Sequence, residues 1–180
     1  MKVINLPKQQ VVIEGNVEIP RNTTTLVGYK HKGKPIAQGK VLGYFSCSST
    51  KITSLEQGPS WVGGDFYCWN TKITSLEGGP SYVGDDFDCS GTNVTSLHNI
   101  HKQIKHIGGT FYISNTVRSY ILGVMLIKGL QRIQFYNSNI EQVQVAAIIA
   151  IINKHLAGDR NVHLAQEELI EAGLSEFAKL

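Results

Sequence analysis

Asp65, Asp86 and Asp88 stand close together in a stretch that repeats itself, two of them 21 residues apart. Paired carboxylates at a fixed separation can share the work of glycoside hydrolysis or hold a divalent cation. Both need more than the sequence supplies here. An open surface has no pocket to raise a carboxyl pKa, and no third ligand accompanies the pair. His98, His101 and His106 invite a metal, since His98 and His101 could share one helix face, but no carboxylate or thiolate joins them. Cys47, Cys68 and Cys89 occupy one repeat position and read as a column of small buried thiols; no C-x-x-C spacing is present. There is no defensible Ser-His-Asp order and no dinucleotide fingerprint, and GKPIAQGK at 33–40 lacks the strand, spacing and helix of a phosphate loop. The expectation is a protein that is not an enzyme and takes no cofactor or metal.

What positions these residues is a period. Phe45, Phe66 and Phe87 lie 21 apart, as do Cys47/Cys68/Cys89, Ile52/Ile73/Val94 and Leu55/Leu76/Leu97. Four apolar columns in one register mark a solenoid whose coils bury their apolar edges by stacking. Within a coil the order apolar-x-apolar-x-x-polar-x-apolar follows the leucine-rich-repeat template, with Thr50, Thr71, Thr92 and Thr116 in the polar turn position. A threonine hydroxyl there is expected to bond backbone as the chain leaves the strand. Gly58-Pro59 and Gly79-Pro80 set the return turn. The third coil is three residues longer, and Ile100, Ile104 and Ile107 predict a helical turn on its outer side. Phe111 and Ile113 begin a fourth coil. Ile133, Phe135, Ile140 and Val143 repeat the steps as a fifth, and Val17 and Ile19 suggest a degenerate one at the N-terminus.

The expected class is therefore α/β: a leucine-rich-repeat solenoid with a parallel β-sheet of about five or six coils and a C-terminal helical cap. Residues 1–40 read as an N-terminal cap with a basic loop, 41–140 as the solenoid and 141–180 as the helical cap, all one continuous domain. In the first part VVIEGNVEI alternates enough to be a strand, and TTTLVGYKHKGKPIAQGKV reads as a hairpin or loop. In the last, EQVQVAAIIAIINKHLAG and HLAQEELIEA predict two helices ending at Gly158 and Gly173.

Side chains alternate along a strand, so Phe66 and Cys68 pointing inward send Tyr67 and Trp69 outward. The outward columns run Tyr44, Asp65, Asp86, Thr110, Arg132, then Ser46, Tyr67, Asp88, Tyr112, Gln134, then Ser48, Trp69, Ser90, Ser114, Tyr136. From them Tyr44, Asp65, Tyr67, Trp69, Asp86, Asp88, Tyr112, Arg132 and Tyr136 form the candidate partner-binding set on the expected concave face. Trp, Tyr and Arg are the types enriched at binding hot spots, and an acidic, aromatic face suits a basic protein partner. The plainer alternative is that aromatics suit strands and pack on one another across neighbouring coils.

A net charge of +3 conceals bands. Residues 1–42 hold seven basic and two acidic residues, 43–96 two and six, 97–140 five and none, and 141–180 three and six. Such alternation argues against a uniformly basic nucleic-acid binder. The most basic cluster is Lys30, His31, Lys32, Lys34 and Lys40, read as a solvated loop or a surface for an anionic partner. Nucleic acid, bound through the basic bands from Lys30 to Lys40 and from Lys102 to Lys128, is accordingly the second function considered. The N-terminus lacks a basic start followed by an apolar run, and Val145–Ile152 is too short to cross a bilayer. A soluble, cytoplasmic protein is expected.

The run F-x-C-x-N-x-K-I-T-S-L-E-G-G-P-S-x-V, together with IINKHL and AQEELIEAGLSEFAKL near the C-terminus, resembles small leucine-rich-repeat proteins of tailed bacteriophages over roughly residues 41–180. Threonine in the asparagine column, the long third coil and the eroded fourth depart from that pattern. The resemblance implies an accessory protein made inside a bacterial host, where it binds and inhibits a host protein such as an antiviral defence factor by occlusion.

Overall fold

The computed structural model describes residues 10–136 and 142–180. Short strands come in pairs, each pair separated by a sharp corner. The first is β1 (Val12–Ile13) with β2 (Val17–Glu18), followed by the antiparallel hairpin β3 (Lys30–His31) and β4 (Lys34–Pro35). The next pairs are β5 (Lys40–Val41) with β6 (Phe45–Ser46), β7 (Trp61–Val62) with β8 (Phe66–Tyr67), and β9 (Tyr82–Val83) with β10 (Phe87–Asp88). After the helical turn α1 (Ile100–Gln103) come β11 (His106–Ile107) and β12 (Thr110–Ile113), then a 3-10 turn at Leu122–Leu126 and the last strand, β13 (Arg132–Phe135). Helices α2 (Gln142–Ala157) and α3 (Val162–Glu171) follow.

First strands and second strands collect into different sheets. One is five-stranded, in the order β1-β5-β7-β9-β11; the other is six-stranded, in the order β13-β12-β10-β8-β6-β2; every pairing within them is parallel. Strand order follows chain order, as expected of a parallel β-solenoid in which each coil touches only its neighbours. The stretch VVIEGNVEI is thus not one strand. Gly15, at φ 75°, turns the chain between β1 and β2 and sends the two halves to separate sheets.

The register is that of the sequence period: Phe45 pairs with Phe66, Phe66 with Phe87, Phe87 with Phe111 and Phe111 with Ile133. The four phenylalanine rings form an inner column at centroid spacings of 5.5, 4.8 and 5.2 Å, stacked in the first pair, tilted in the second and edge-on in the third. Cys47, Cys68 and Cys89 lie beside them as free, buried thiols. A further apolar column, Val41, Val62, Val83 and Ile107, lines the inner side of the five-stranded sheet. The turn threonines close each coil as expected: Thr50, Thr71 and Thr92 donate their hydroxyls to the carbonyls of Cys47, Cys68 and Cys89 at 2.7, 2.8 and 2.8 Å. Thr116 departs and donates to Thr92 and Val94 of the preceding coil.

The corners between the sheets bring backbones unusually close. A Cβ on Gly84 would sit 1.8 Å from the Gly63 carbonyl oxygen, and one on Gly108 would sit 1.9 Å from that of Gly84. Glycine holds this position because successive coils have no room for a side chain there.

At the C-terminal end α2 packs on β13. Ile148, Ile152 and Leu156 face inward. Asn153 acts as a one-residue substitute for a further strand: its Oδ1 accepts the Ile133 N–H at 2.7 Å and its Nδ2 donates to the Ile133 carbonyl at 3.0 Å. An otherwise open sheet edge is thereby closed. Arg160 donates to the Ile127 carbonyl at 2.9 Å and also to Leu130. Val143 does not continue the coil pattern; it lies on α2 and is exposed, and Ile140 lies outside the described residues. Among the described residues no helix is long and apolar enough to cross a membrane.

Candidate functional site

The outward face of the six-stranded sheet carries the candidate set. Its inner side is fixed by Phe66 and Cys68, both buried, so pleating turns Tyr67 and Trp69 outward. Ser46, Tyr67, Asp88 and Tyr112 are register partners across β6, β8, β10 and β12, and Thr110 pairs with Arg132.

Asp65 and Asp86 have structural duties. The Asp86 N–H donates to Asp65 Oδ1 at 3.0 Å, and the Thr110 N–H donates to Asp86 Oδ1 at 2.7 Å. Asn16 Oδ1 accepts the Tyr44 N–H at 3.1 Å in the same way. Each side chain satisfies a backbone donor on the next coil where the corner leaves it without a strand partner. Tyr44 donates its hydroxyl to Glu18, and that hydrogen bond, ahead of burial, raises the phenol pKa. Its ring meets Tyr67 at 6.2 Å, the packing between neighbouring coils that aromatic strands favour. The Tyr67 hydroxyl is pushed well up, first by burial, then by its hydrogen bond to Asp65 and the nearby charges of Asp65, Asp86 and Asp88.

Asp88 is the carboxylate held at a cost. Burial raises its pKa; the hydrogen bonds from Ser90 oppose that rise, while the Asp86 charge adds to it. The Ser90 N–H reaches Asp88 Oδ1 at 2.8 Å. No described ion pair involves Glu18, Asp65, Asp86 or Asp88; those present join Lys154, His155, His163 and Lys179 to Glu168, Glu167 and Glu176. Arg132, at the far end, donates Nε to Thr110 Oγ1 at 3.0 Å.

Trp69 and Tyr136 are the exposed rings, 40% and 57% accessible, and neither stacks on another ring among the described residues. Trp69 separates two clefts. One, about 440 Å³, involves Glu18, Arg21, Ser46 and Ser48; the other, about 260 Å³, is closed on its far side by Tyr136. Tyr112 is half-buried beneath the same face.

The basic cluster is divided. Lys30, Lys32 and Lys34 are exposed on the hairpin and His31 is half-buried, while Lys34 donates to the Val12 carbonyl at 3.1 Å. Lys40 belongs to β5 instead, with its ammonium 3.9 Å from the Trp61 ring centroid. The three histidines are likewise apart in role. His98 meets Tyr120 edge-on at 4.7 Å, and His101 sits on α1 with its pKa lowered by burial and then by Lys102 and Lys105. His106 stacks on Tyr82 at 4.5 Å. Among the described residues no three His, Cys, Asp or Glu side chains are grouped to hold a metal. Burial raises the Cys47 and Cys89 thiols to about 12 and Cys68 well above its ordinary value, so none is a nucleophile at neutral pH.

The sequence analysis missed the second sheet and its ladder of rings. Trp61 and Tyr82 stack at 5.0 Å and 7°, and His106 extends the column beyond Tyr82. The signal was present: Trp61 and Tyr82 are 21 apart, as are Val41, Val62 and Val83. These rings spend their faces on one another and lie half-buried, which makes them a brace between coils. Compared with family models, curated proteins and solved structures, the chain finds no match in any of the three.

Proposed function

We propose that this chain is a protein-binding module of the leucine-rich-repeat class, with five or six coils, and that the acidic, aromatic face of its six-stranded sheet engages a basic partner protein. The class rests on the 21-residue period and on threonine bonding in the polar turn column. Two-residue first strands take the place of a return helix in the middle coils, and α1 and the 3-10 turn take it in the later ones.

The observation that carries the binding reading is the unbalanced charge on the face. Glu18, Asp65, Asp86 and Asp88 have no cationic partner among the described residues, burial raises the Asp88 pKa, and Trp69 and Tyr136 stand exposed on the same face. A partner cation relieves the carboxylates, and burial of the rings supplies affinity. From the phage resemblance we infer that the partner is a host protein in the bacterial cytoplasm, an antiviral defence factor being the leading class, inhibited by occlusion. Nucleic acid on the basic hairpin is the weaker reading, because Lys40 is engaged with Trp61 and Lys34 with backbone.

The test is affinity capture from bacterial lysate in parallel with three baits: the native chain, a Tyr67→Ala/Trp69→Ala variant and a Lys30→Glu/Lys32→Glu variant. A protein retained by the native and hairpin baits and lost from the face variant supports the reading. Full retention by the face variant rules this site out.

A further inference from the structure

We propose that the cleft between Trp69 and Tyr136 receives an arginine side chain of the partner, with its guanidinium laid on the Trp69 indole and its charge answered by Asp88. This rests on the protein-binding reading of the face and specifies what that face grips.

The cleft, about 260 Å³, is lined by Trp69, Asn70, Ser90, Gly91, Asn115 and Tyr136. Trp69 stands between small residues of its own column, Ser48 and Ser90, so no ring of the sheet covers the indole. Ser90 is part of the lining, and its backbone N–H donates to Asp88 Oδ1 at 2.8 Å, so the carboxylate lies one hydrogen bond from the lining. Asp88 has no cationic partner among the described residues.

An occupant must therefore tolerate apolar walls and carry positive charge at one end. Arginine meets both demands: an aliphatic stem lies along the rings, and the planar guanidinium stacks on an aromatic face while bonding a carboxylate. Lysine presents a compact, strongly hydrated ammonium that gains less from the indole. A purely apolar side chain leaves Asp88 unanswered, and a phosphate-bearing ligand meets the field of Asp65, Asp86 and Asp88.

The test titrates the full chain with three short peptides alternating glycine with arginine, lysine or citrulline, read by calorimetry. The arginine peptide is expected to bind about twofold to thirtyfold more tightly than the lysine peptide, the range a cation–π contact spans. Citrulline, which keeps the shape and loses the charge, is expected to show no binding. Trp69→Leu keeps an apolar side chain without an aromatic face, and it should erase the preference for arginine over lysine with the melting temperature unchanged. Asp88→Asn should weaken both cationic peptides. Equal affinity for the arginine and lysine peptides, or a preference that survives Trp69→Leu, overturns the arginine cleft and leaves an acidic surface for a basic partner. Indifference of the native chain to every cationic peptide overturns both readings.

Discussion

Gly84→Ala is the sharpest test of the two-sheet architecture. The added methyl would lie 1.8 Å from the Gly63 carbonyl oxygen and 2.7 Å from its carbon, where ordinary contact is 3.4 Å or more. The obstacle is backbone, so no side-chain rotation relieves it. Relief requires the corners of two adjacent coils to part by about 1.5 Å, a distance read from that contact deficit. That movement pulls on the bonds from Gly84 N–H to the Val62 carbonyl and from Gly108 N–H to the Val83 carbonyl, 2.9 and 3.1 Å long. Overpacking in a well-filled interior costs about 1–3 kcal/mol and more where the backbone must move, so a loss of about 3 kcal/mol is expected. For a chain of this size the melting temperature should fall by about 6–12 °C. Gly91→Ala is the control. Its φ is positive, at 63°, which that of Gly84 is not, but a Cβ there meets nothing closer than 3.6 Å, so only the left-handed backbone opposes it, at about 1 kcal/mol. Thermal denaturation of both variants decides the matter. A Gly84→Ala melting temperature within about 2 °C of native, or a larger loss at Gly91, would refute the close stacking of corners.

Two further outcomes follow from the same geometry. Asp88 has a raised folded-state pKa, so the folded chain keeps this proton to higher pH than the unfolded chain does, and stability falls as pH rises through that window above the ordinary value of 3.8. Asp88→Asn keeps the acceptor for the Ser90 N–H and removes the charge; its stability relative to native should therefore improve in urea titrations as pH rises from below the ordinary value of 3.8, and a constant difference would contradict the cause given. Asn153→Ala removes both bonds to Ile133 at the sheet edge and should cost about 1–3 kcal/mol, with faster amide exchange at Ile133; unchanged exchange there would mean that the side chain does not close the edge.

The inner columns were legible because stacking forces each coil to repeat the same apolar choice. Phe45, Phe66 and Phe87 pair as their 21-residue spacing predicts, and the alternation that buries Phe66 and Cys68 turns Tyr67 and Trp69 out. The second sheet was hidden because each of its strands carries a single inward residue, so no alternation shows, whereas the other sheet repeats the inward pairs Phe45/Cys47, Phe66/Cys68 and Phe87/Cys89. Its marks were a vertical period at Val41, Val62 and Val83 and the stacked Trp61 and Tyr82, which a reading along one strand at a time passes over. The corner at 14–16 failed for the same reason: VVIEGNVEI has the polarity of a strand, and only the partnering of its halves with β5 and β6 reveals the bend.

The hydrogen-bond partners of the three aspartates separate scaffold from proposed binding surface in a way their common residue type could not. Asp65 and Asp86 each hold the backbone of the following coil through Oδ1, so an effect of replacing them on partner affinity would be confounded by loosened stacking. The Asp88 carboxylate bonds to Ser90, two residues along its own chain, and among the described residues no ring braces Trp69, so neither side chain is seen to hold one coil to the next. A half-buried carboxylate and an indole that, among the described residues, no cation answers and no ring covers add little to the stability of the free chain. A partner bound as proposed would use both groups, so substitutions at Asp88 and Trp69, rather than at the more conspicuous acidic pair, carry the functional tests.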